Sequence, residues 1–96
     1  MQLTANEELE LRYMQALGYK WIARDNSKYK EVNVYTVKPS RYTSYQGWNG
    51  FNGDIGDIQL GEYDFLKWED EPLEIEKLLR ENGRDIPLVE PKGNEL

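Results

Sequence analysis

The sequence contains neither cysteine nor histidine. Without cysteine, the chain forms no disulfide and offers no thiolate nucleophile or cysteine-based metal site. Without histidine, it lacks the commonest general base and the commonest ligand of transition metals. These two absences exclude serine triads, Cys–His pairs and zinc sites of the usual kind. Carboxylate, lysine, tyrosine, serine and threonine chemistry remains, and a carboxylate enzyme is the third alternative for the function. We predict a protein that is not an enzyme, with no catalytic residues, no metal site and no cofactor.

Long hydrophobic runs are also lacking. No stretch approaches the ~20 apolar residues that a membrane-spanning helix needs, and residues 1–8 have neither the basic nor the apolar region of a signal peptide. Hydrophobic residues make up 39% of the chain and aromatic residues 12%, enough to favour a folded protein. We expect one domain over residues 1–89, a flexible C-terminal tail over residues 90–96, and a cytoplasmic protein with no membrane partner.

The net charge of −6 is unevenly distributed. Residues 1–50 carry slightly more basic than acidic side chains, whereas residues 51–96 carry thirteen acidic and five basic ones. Such a chain gains no net attraction to a phosphate backbone, so we predict no direct binding to nucleic acid. A protein with a basic surface is the expected partner.

The N-terminal residues predict a helix. Thr4 and Glu7 have the spacing of a capping box, in which each side chain accepts a hydrogen bond from the backbone N–H of the other residue. The apolar residues that follow recur at helical spacing and predict one buried stripe: Leu9, Tyr13, Ala16 and Leu17. Gly18 is a natural stop for this helix.

The rest of the chain predicts strands and a second helix. Residues 19–24 and 29–37 suggest a hairpin, and residues 57–68 suggest one or two further strands. The second helix is expected to begin with Pro72 in its first turn and to bury Ile75, Leu78 and Leu79. The predicted fold class is α+β, with a three- or four-stranded antiparallel sheet packed against an N-terminal and a C-terminal helix.

The strongest surface signal is an acidic run over residues 54–76, which has nine acidic side chains and the single base Lys67. One interpretation is an array of negative charge that resembles a nucleic acid and occupies a groove on a basic partner. The other is a solvated face that confers solubility and caps a helix. The partner-binding candidates are those expected on one strand face and at the start of the second helix: Glu62, Asp64, Glu69, Asp70 and Glu71.

The connection over residues 38–56 is the second signal, since it holds four glycines and four aromatic residues. Arg41, Tyr42 and Tyr45 are further partner-binding candidates, because arginine and aromatic side chains dominate protein interfaces. Such a loop could also stack on bases. Alternatively its aromatic residues belong to the core, and we expect Trp48 to be buried. A tight turn is expected at Asn49-Gly50 or at Asn52-Gly53.

Two segments resemble small uncharacterised proteins encoded by phages and prophages of Gram-positive bacteria. They are Leu17-Gly18-Tyr19-Lys20-Trp21-Ile22-Ala23-Arg24-Asp25 and Phe65-Leu66-Lys67-Trp68-Glu69-Asp70-Glu71-Pro72, the second leading into Ile75-Glu76-Lys77-Leu78-Leu79. This resemblance supplies no reaction and no site residues. It implies an accessory protein that binds and inhibits a nucleic-acid-handling protein of the host, as an anti-CRISPR-like inhibitor would. The alternative is an interaction or assembly module, in the form of a homodimer, that uses the aromatic residues of 38–51.

Overall fold

A computed structural model describes residues 3–44 and 47–82 of the chain. The candidate residue Tyr45 and the predicted tail over residues 90–96 lie outside this part. So does the expected C-terminal boundary of the domain at residue 89.

The first helix, α1, spans Ala5–Ala16 and begins as the sequence predicts. Thr4 is the N-cap, and its hydroxyl accepts a hydrogen bond from the N–H of Glu7 at 3.1 Å. Glu7 Oε1 accepts one from the N–H of Thr4 at 3.0 Å, which completes the capping box.

The predicted buried face of α1 is wrong. Leu9, Tyr13 and Leu17 are 63%, 61% and 55% exposed. The helix instead buries residues of its other face, among which are three acids: Glu7, Glu8, Glu10, Leu11 and Met14. Periodicity ranks the faces of a helix by hydrophobicity alone. Glu7 and Glu10 accept hydrogen bonds from distant parts of the chain and Glu8 pairs with Arg12 of the same helix, and these contacts offset the desolvation of the three acids.

In the described part of the chain, six strands and a second helix follow α1. Their bounds are β1 Trp21–Arg24, β2 Val32–Tyr35, β3 Ser40–Tyr42, β4 Gly47–Asn49, β5 Ile55–Asp57, β6 Leu73–Glu74 and α2 Ile75–Asn82. Four of the strands form an antiparallel sheet in the order β5-β2-β1-β6, and β3 pairs with β4 as a separate hairpin. The predicted α+β class, with two helices and a four-stranded antiparallel sheet, is confirmed.

Two boundaries differ from the prediction. Strand was expected within residues 57–68, but residues 58–72 form no helix or strand. The strand that pairs with β2 lies earlier in the chain, in β5. The second helix begins at Ile75 rather than at Pro72, because β6 pairs with β1 through Leu73 and Glu74. The predicted burial of the α2 stripe is confirmed for Ile75, Leu78 and Leu79.

The sheet is covered on both faces. Alternate residues of β1 and β2, among them Ile22 and Val34, join the helices in the main core. On the opposite face, Ala23 and Tyr35 pack with Trp48 of the β3–β4 hairpin. The connection over residues 38–56 therefore contributes the β3–β4 hairpin to this face of the sheet. Trp48 is buried as predicted, and the tight turn spans Gly50–Gly53, between the two expected positions.

Candidate functional site

The candidate site is the irregular stretch between β5 and β6, residues 58–72, here called the acidic segment. Its side chains include five exposed carboxylates: Glu62, Asp64, Glu69, Asp70 and Glu71. Glu62 and Asp64 do not lie on a strand, and Glu69–Glu71 do not start a helix, so both predicted settings are wrong. Since no helix or sheet holds this backbone, other groups must satisfy its hydrogen bonds.

Glu10 of α1 holds the beginning of the acidic segment. Its Oε2 accepts hydrogen bonds from the N–H groups of Gln59 and Leu60 at 2.6 and 2.8 Å. Its Oε1 accepts from the N–H of Gly61 at 2.9 Å and from the hydroxyl of Tyr63 at 2.9 Å. All four contacts are donors, an arrangement that suits a carboxylate, which only accepts. Four hydrogen bonds offset the cost of burying this charged group.

Glu7 holds the next part of the segment while it caps its own helix. Its Oε2 accepts a hydrogen bond from the N–H of Tyr63 at 2.6 Å. The segment approaches so closely here that a Cβ added at Gly61 would overlap Cγ of Glu7 and the ring of Tyr63. Gly61 therefore permits a contact that any larger residue would prevent.

Tyr63 is the buried centre of this arrangement, with none of its surface exposed. Burial, followed by the hydrogen bond to Glu10 and the charges of Glu10 and Glu7, raises the pKa of the Tyr63 hydroxyl far above its usual range. The hydroxyl therefore stays protonated and remains a donor to Glu10 at any ordinary pH.

Arg24, the last residue of β1, holds the middle of the acidic segment. Its guanidinium donates to the carbonyls of Glu62, Tyr63 and Leu66 at 2.6, 2.9 and 2.6 Å. A further bond to the carbonyl of Lys30, at 2.6 Å, joins the segment to the β1–β2 turn. The planar fork of arginine makes several such bonds with one side chain.

Arg41 of β3 holds the end of the segment. It donates to the carbonyls of Glu69 and Asp70 at 3.2 and 3.1 Å. Its guanidinium carbon lies 4.8 Å from the ring centre of Trp48 and 4.7 Å from that of Trp68, so the cation lies against both indoles. Arg41 was a partner-binding candidate, and the structure assigns it internal contacts.

The five carboxylates themselves point outward. Among the described residues, Glu62, Asp64 and Glu69 form no ion pair, and the bond from Arg41 to Glu71 is long, at 3.7 Å. Asp70 accepts a hydrogen bond from the N–H of Lys67 at 2.9 Å, which closes a local turn. The acidic segment thus combines a backbone held by buried or half-buried side chains with carboxylates that face solvent.

The other candidates from the aromatic connection lie apart from this arrangement. Tyr42, at the end of β3, is 44% exposed, and Phe51, in the turn between β4 and β5, is exposed as well. The structure therefore brings Arg41 to the acidic segment and leaves Tyr42 on the hairpin.

Sequence reasoning missed Glu7, Glu10 and Arg24 as residues that shape the site. Glu7 was read only as part of the capping box, and Arg24 only as the end of a strand. A weak signal existed, since three glutamates within four positions of one short helix exceed what capping requires.

Asp25, next to Arg24, gives a prediction about pH. Its Oδ1 is buried with no hydrogen-bond partner among the described residues. Burial, with a smaller contribution from the charge of Glu31, raises the pKa of the Asp25 carboxyl above its usual 3.8. The folded state then binds this proton more tightly than the unfolded state, so stability falls as pH rises from 3.8 through the raised value. Asp25→Asn should therefore increase the melting temperature slightly at pH 7.

The difference between Asp25→Asn and wild type should shrink below pH 3.8, where the carboxyl is protonated in both states. The exposed Asp54→Asn variant is the matched control and should melt like the wild type at both pH values. An Asp25→Asn variant that melts below wild type at pH 7 would contradict this prediction.

Within residues 3–44 and 47–82, no helix is long and apolar enough to cross a membrane, and no group of three acidic side chains is placed to hold a metal ion. No protein-family model, curated protein or solved structure matches this chain. The function must therefore be inferred from the contacts of its own residues.

Proposed function

We propose that this protein is a non-enzymatic accessory protein of phage type, which acts in the cytoplasm of a bacterial host. It binds a nucleic-acid-handling protein of that host through the acidic segment and inhibits it by covering a basic surface. The observation that carries the proposal is the fixed backbone beneath the exposed carboxylates, since a solvated loop needs no such support.

The first support is preorganisation. Glu10 and Glu7 hold residues 59–63 from the side of α1, whereas Arg24 and Arg41 hold residues 62–66 and 69–70 from the strands. A segment that is already ordered loses little conformational entropy when it binds, so more of its interaction energy contributes to affinity.

The second support is the sign and spacing of the charge. Residues 58–72 carry five exposed carboxylates and one basic side chain, Lys67. Surfaces that bind nucleic acid carry clustered lysine and arginine for the phosphates. Exposed carboxylates on a held backbone are complementary in charge to such a surface and would exclude the nucleic acid from it.

The alternative was an interaction or assembly module that uses the aromatic residues of the 38–51 connection. Two of the side chains expected to contribute most to such an interface instead make contacts within the chain. Trp48 is buried, and its Nε1 donates to the carbonyl of Arg24 at 2.8 Å, while the guanidinium of Arg41 lies against the rings of Trp48 and Trp68. These internal contacts of Trp48 and Arg41 favour the acidic segment.

The test is a charge reversal combined with a binding assay. The full chain would be used to capture partners from a lysate of a Gram-positive bacterium, and the captured protein would be purified. We expect one basic protein whose binding to this chain and to duplex DNA is mutually exclusive. Replacing Glu62, Asp64, Glu69, Asp70 and Glu71 by Lys should reduce the affinity at least 100-fold, chiefly through the association rate.

A matched control reverses five exposed acids elsewhere on the surface: Glu31, Asp54, Glu74, Glu76 and Glu81. Both variants carry the same net charge, so only the position of the change differs. The control should retain most of the affinity, and wild-type binding should weaken as salt rises, because exposed charges are screened over ~8–10 Å at physiological ionic strength. Equal losses in both variants, or binding that ignores salt, would refute the acidic segment as the binding surface.

A further inference from the structure

The solvent-facing side of α1 carries a ridge of apolar side chains. Leu9, Tyr13 and Leu17 are each more than half exposed, and Leu60 of the acidic segment lies beside them with 54% of its surface exposed. Leu17, the C-cap, keeps right-handed helical dihedrals, so it continues the four-residue spacing past the end of the helix. Between Leu9, Tyr13 and Leu60 runs an open groove of about 370 Å³ with apolar walls. A contiguous exposed patch of this kind on a soluble domain marks an interaction surface.

This side of α1 also has no exposed carboxylate. Glu7, Glu8 and Glu10 are buried, and Arg12, whose side chain is 38% exposed, is paired with Glu8 at 2.7 Å. The most exposed residues of α1 and its caps are uncharged: Thr4, Ala5, Asn6, Leu9, Tyr13, Gln15, Ala16 and Leu17. In a chain with 31% charged residues, this side of α1 differs in character from the acidic segment, which it meets at Leu60.

We propose that this ridge is the contact between two copies of the chain, packed as antiparallel α1 helices about a two-fold axis at Tyr13. The spacing is self-complementary. Leu9 precedes Tyr13 by four residues and Leu17 follows it by four, so a two-fold axis at Tyr13 sets Leu9 of one copy against Leu17 of the other. An interface of this isologous type requires a patch that matches itself.

The geometry of the ridge fits helix packing. Residues at four-residue spacing form one of the ridges through which helices pack against each other. The groove between Leu60 and the helix would receive apolar side chains of the second copy.

Charge selects a second copy rather than the basic partner proposed above. Each chain carries a net charge of −6, so two copies repel one another wherever their acidic surfaces meet. The uncharged side of α1 lets them approach without opposing carboxylates. A basic protein would find no complementary charge there.

The first experiment measures the mass of the full chain by sedimentation equilibrium over a series of concentrations. We expect a monomer of 11.3 kDa at high dilution and a dimer of twice that mass at high concentration. Tyr13→Glu brings two carboxylates together at the axis and should weaken association at least 10-fold. Tyr29→Glu is the matched control, because Tyr29 is 74% exposed and lies in the β1–β2 turn. It should dimerise like the wild type.

The second experiment fixes the orientation and uses the lack of native cysteine. Leu9→Cys and Leu17→Cys variants, each a single thiol per chain, would be treated with a short bismaleimide separately and as a mixture. The antiparallel arrangement predicts efficient crosslinking in the mixture, between the two different variants, and little in either sample alone.

Three results would overturn the proposal. A wild type that stays monomeric at every concentration would show that the ridge does not join two copies of the chain. A Tyr13→Glu variant that dimerises as strongly as Tyr29→Glu would place the contact elsewhere. Crosslinking of Leu9→Cys with itself as efficiently as with Leu17→Cys would rule out the antiparallel pair.

Discussion

Glu10→Ala is expected to lower the free energy of unfolding by about 4 kcal/mol, a large effect for an acidic residue on a short helix. The substitution removes the acceptor for three backbone N–H groups and the Tyr63 hydroxyl. Hydrogen bonds to charged groups contribute roughly 1.5–3 kcal/mol each, and partial access of water recovers some of the loss. Urea denaturation followed by circular dichroism measures the change.

Two controls separate the hydrogen bonds of Glu10 from general effects on helices. Glu76→Ala makes the same substitution in α2, where the side chain is 69% exposed and paired only with Arg80 at 3.6 Å; it should change stability by no more than about 0.5 kcal/mol. Glu10→Gln keeps the shape but sets an amide group against two donors in either orientation, so it should fall between Glu10→Ala and wild type. A Glu10→Ala variant as stable as Glu76→Ala would show that the four hydrogen bonds add nothing.

Trp48→Ala should also cost about 4 kcal/mol, the range for truncating a buried large aromatic residue. Trp48 is 6% exposed, its ring meets that of Trp68 edge to face at 5.4 Å, and its Nε1 donates to the carbonyl of Arg24. Truncation would leave a cavity over Tyr35 and remove one of the two indoles that hold Arg41. Urea denaturation again gives the magnitude.

The controls for Trp48 lie in the same hairpin and in the turn that follows it. Trp48→Phe retains much of the packing and loses the hydrogen bond, so we expect a loss of about 1–2 kcal/mol. Phe51→Ala truncates an aromatic side chain that is 60% exposed and should change stability by no more than about 0.5 kcal/mol. If Trp48→Ala and Phe51→Ala unfold at the same urea concentration, the hairpin does not cover a second core.

The sequence predicted those helices and strands whose positions are determined by local patterns of residues. The capping box placed the start of α1, alternation placed β1 and β2, and the spacing of Ile75, Leu78 and Leu79 identified the buried side of α2. Each of these signals lies within a few neighbouring residues. The side chains involved are either apolar and buried in the core or bonded to the backbone a few residues away.

What the sequence could not predict was which face of α1 lies inside. Leu9 and Tyr13 outweigh Glu7 and Glu10 on any scale of hydrophobicity, yet the acids are buried because their partners are backbone N–H groups 49 to 56 residues along the chain. No local window contains that information. The same limit applies to the candidate site. Its five carboxylates were identified from their number, but the backbone that carries them was assigned to strand and helix. Whether they bind a partner remains a prediction.

The support of the acidic segment by distant residues has a consequence for peptides. The contacts of Glu10 and Arg24 with the segment close loops of 38 to 53 residues, so residues 58–72 alone cannot form them. A synthetic peptide of residues 58–72 would carry the same carboxylates on a flexible chain and would pay the full entropy of ordering. The arrangement of these charges is thus a property of the folded molecule and not of the sequence that bears them.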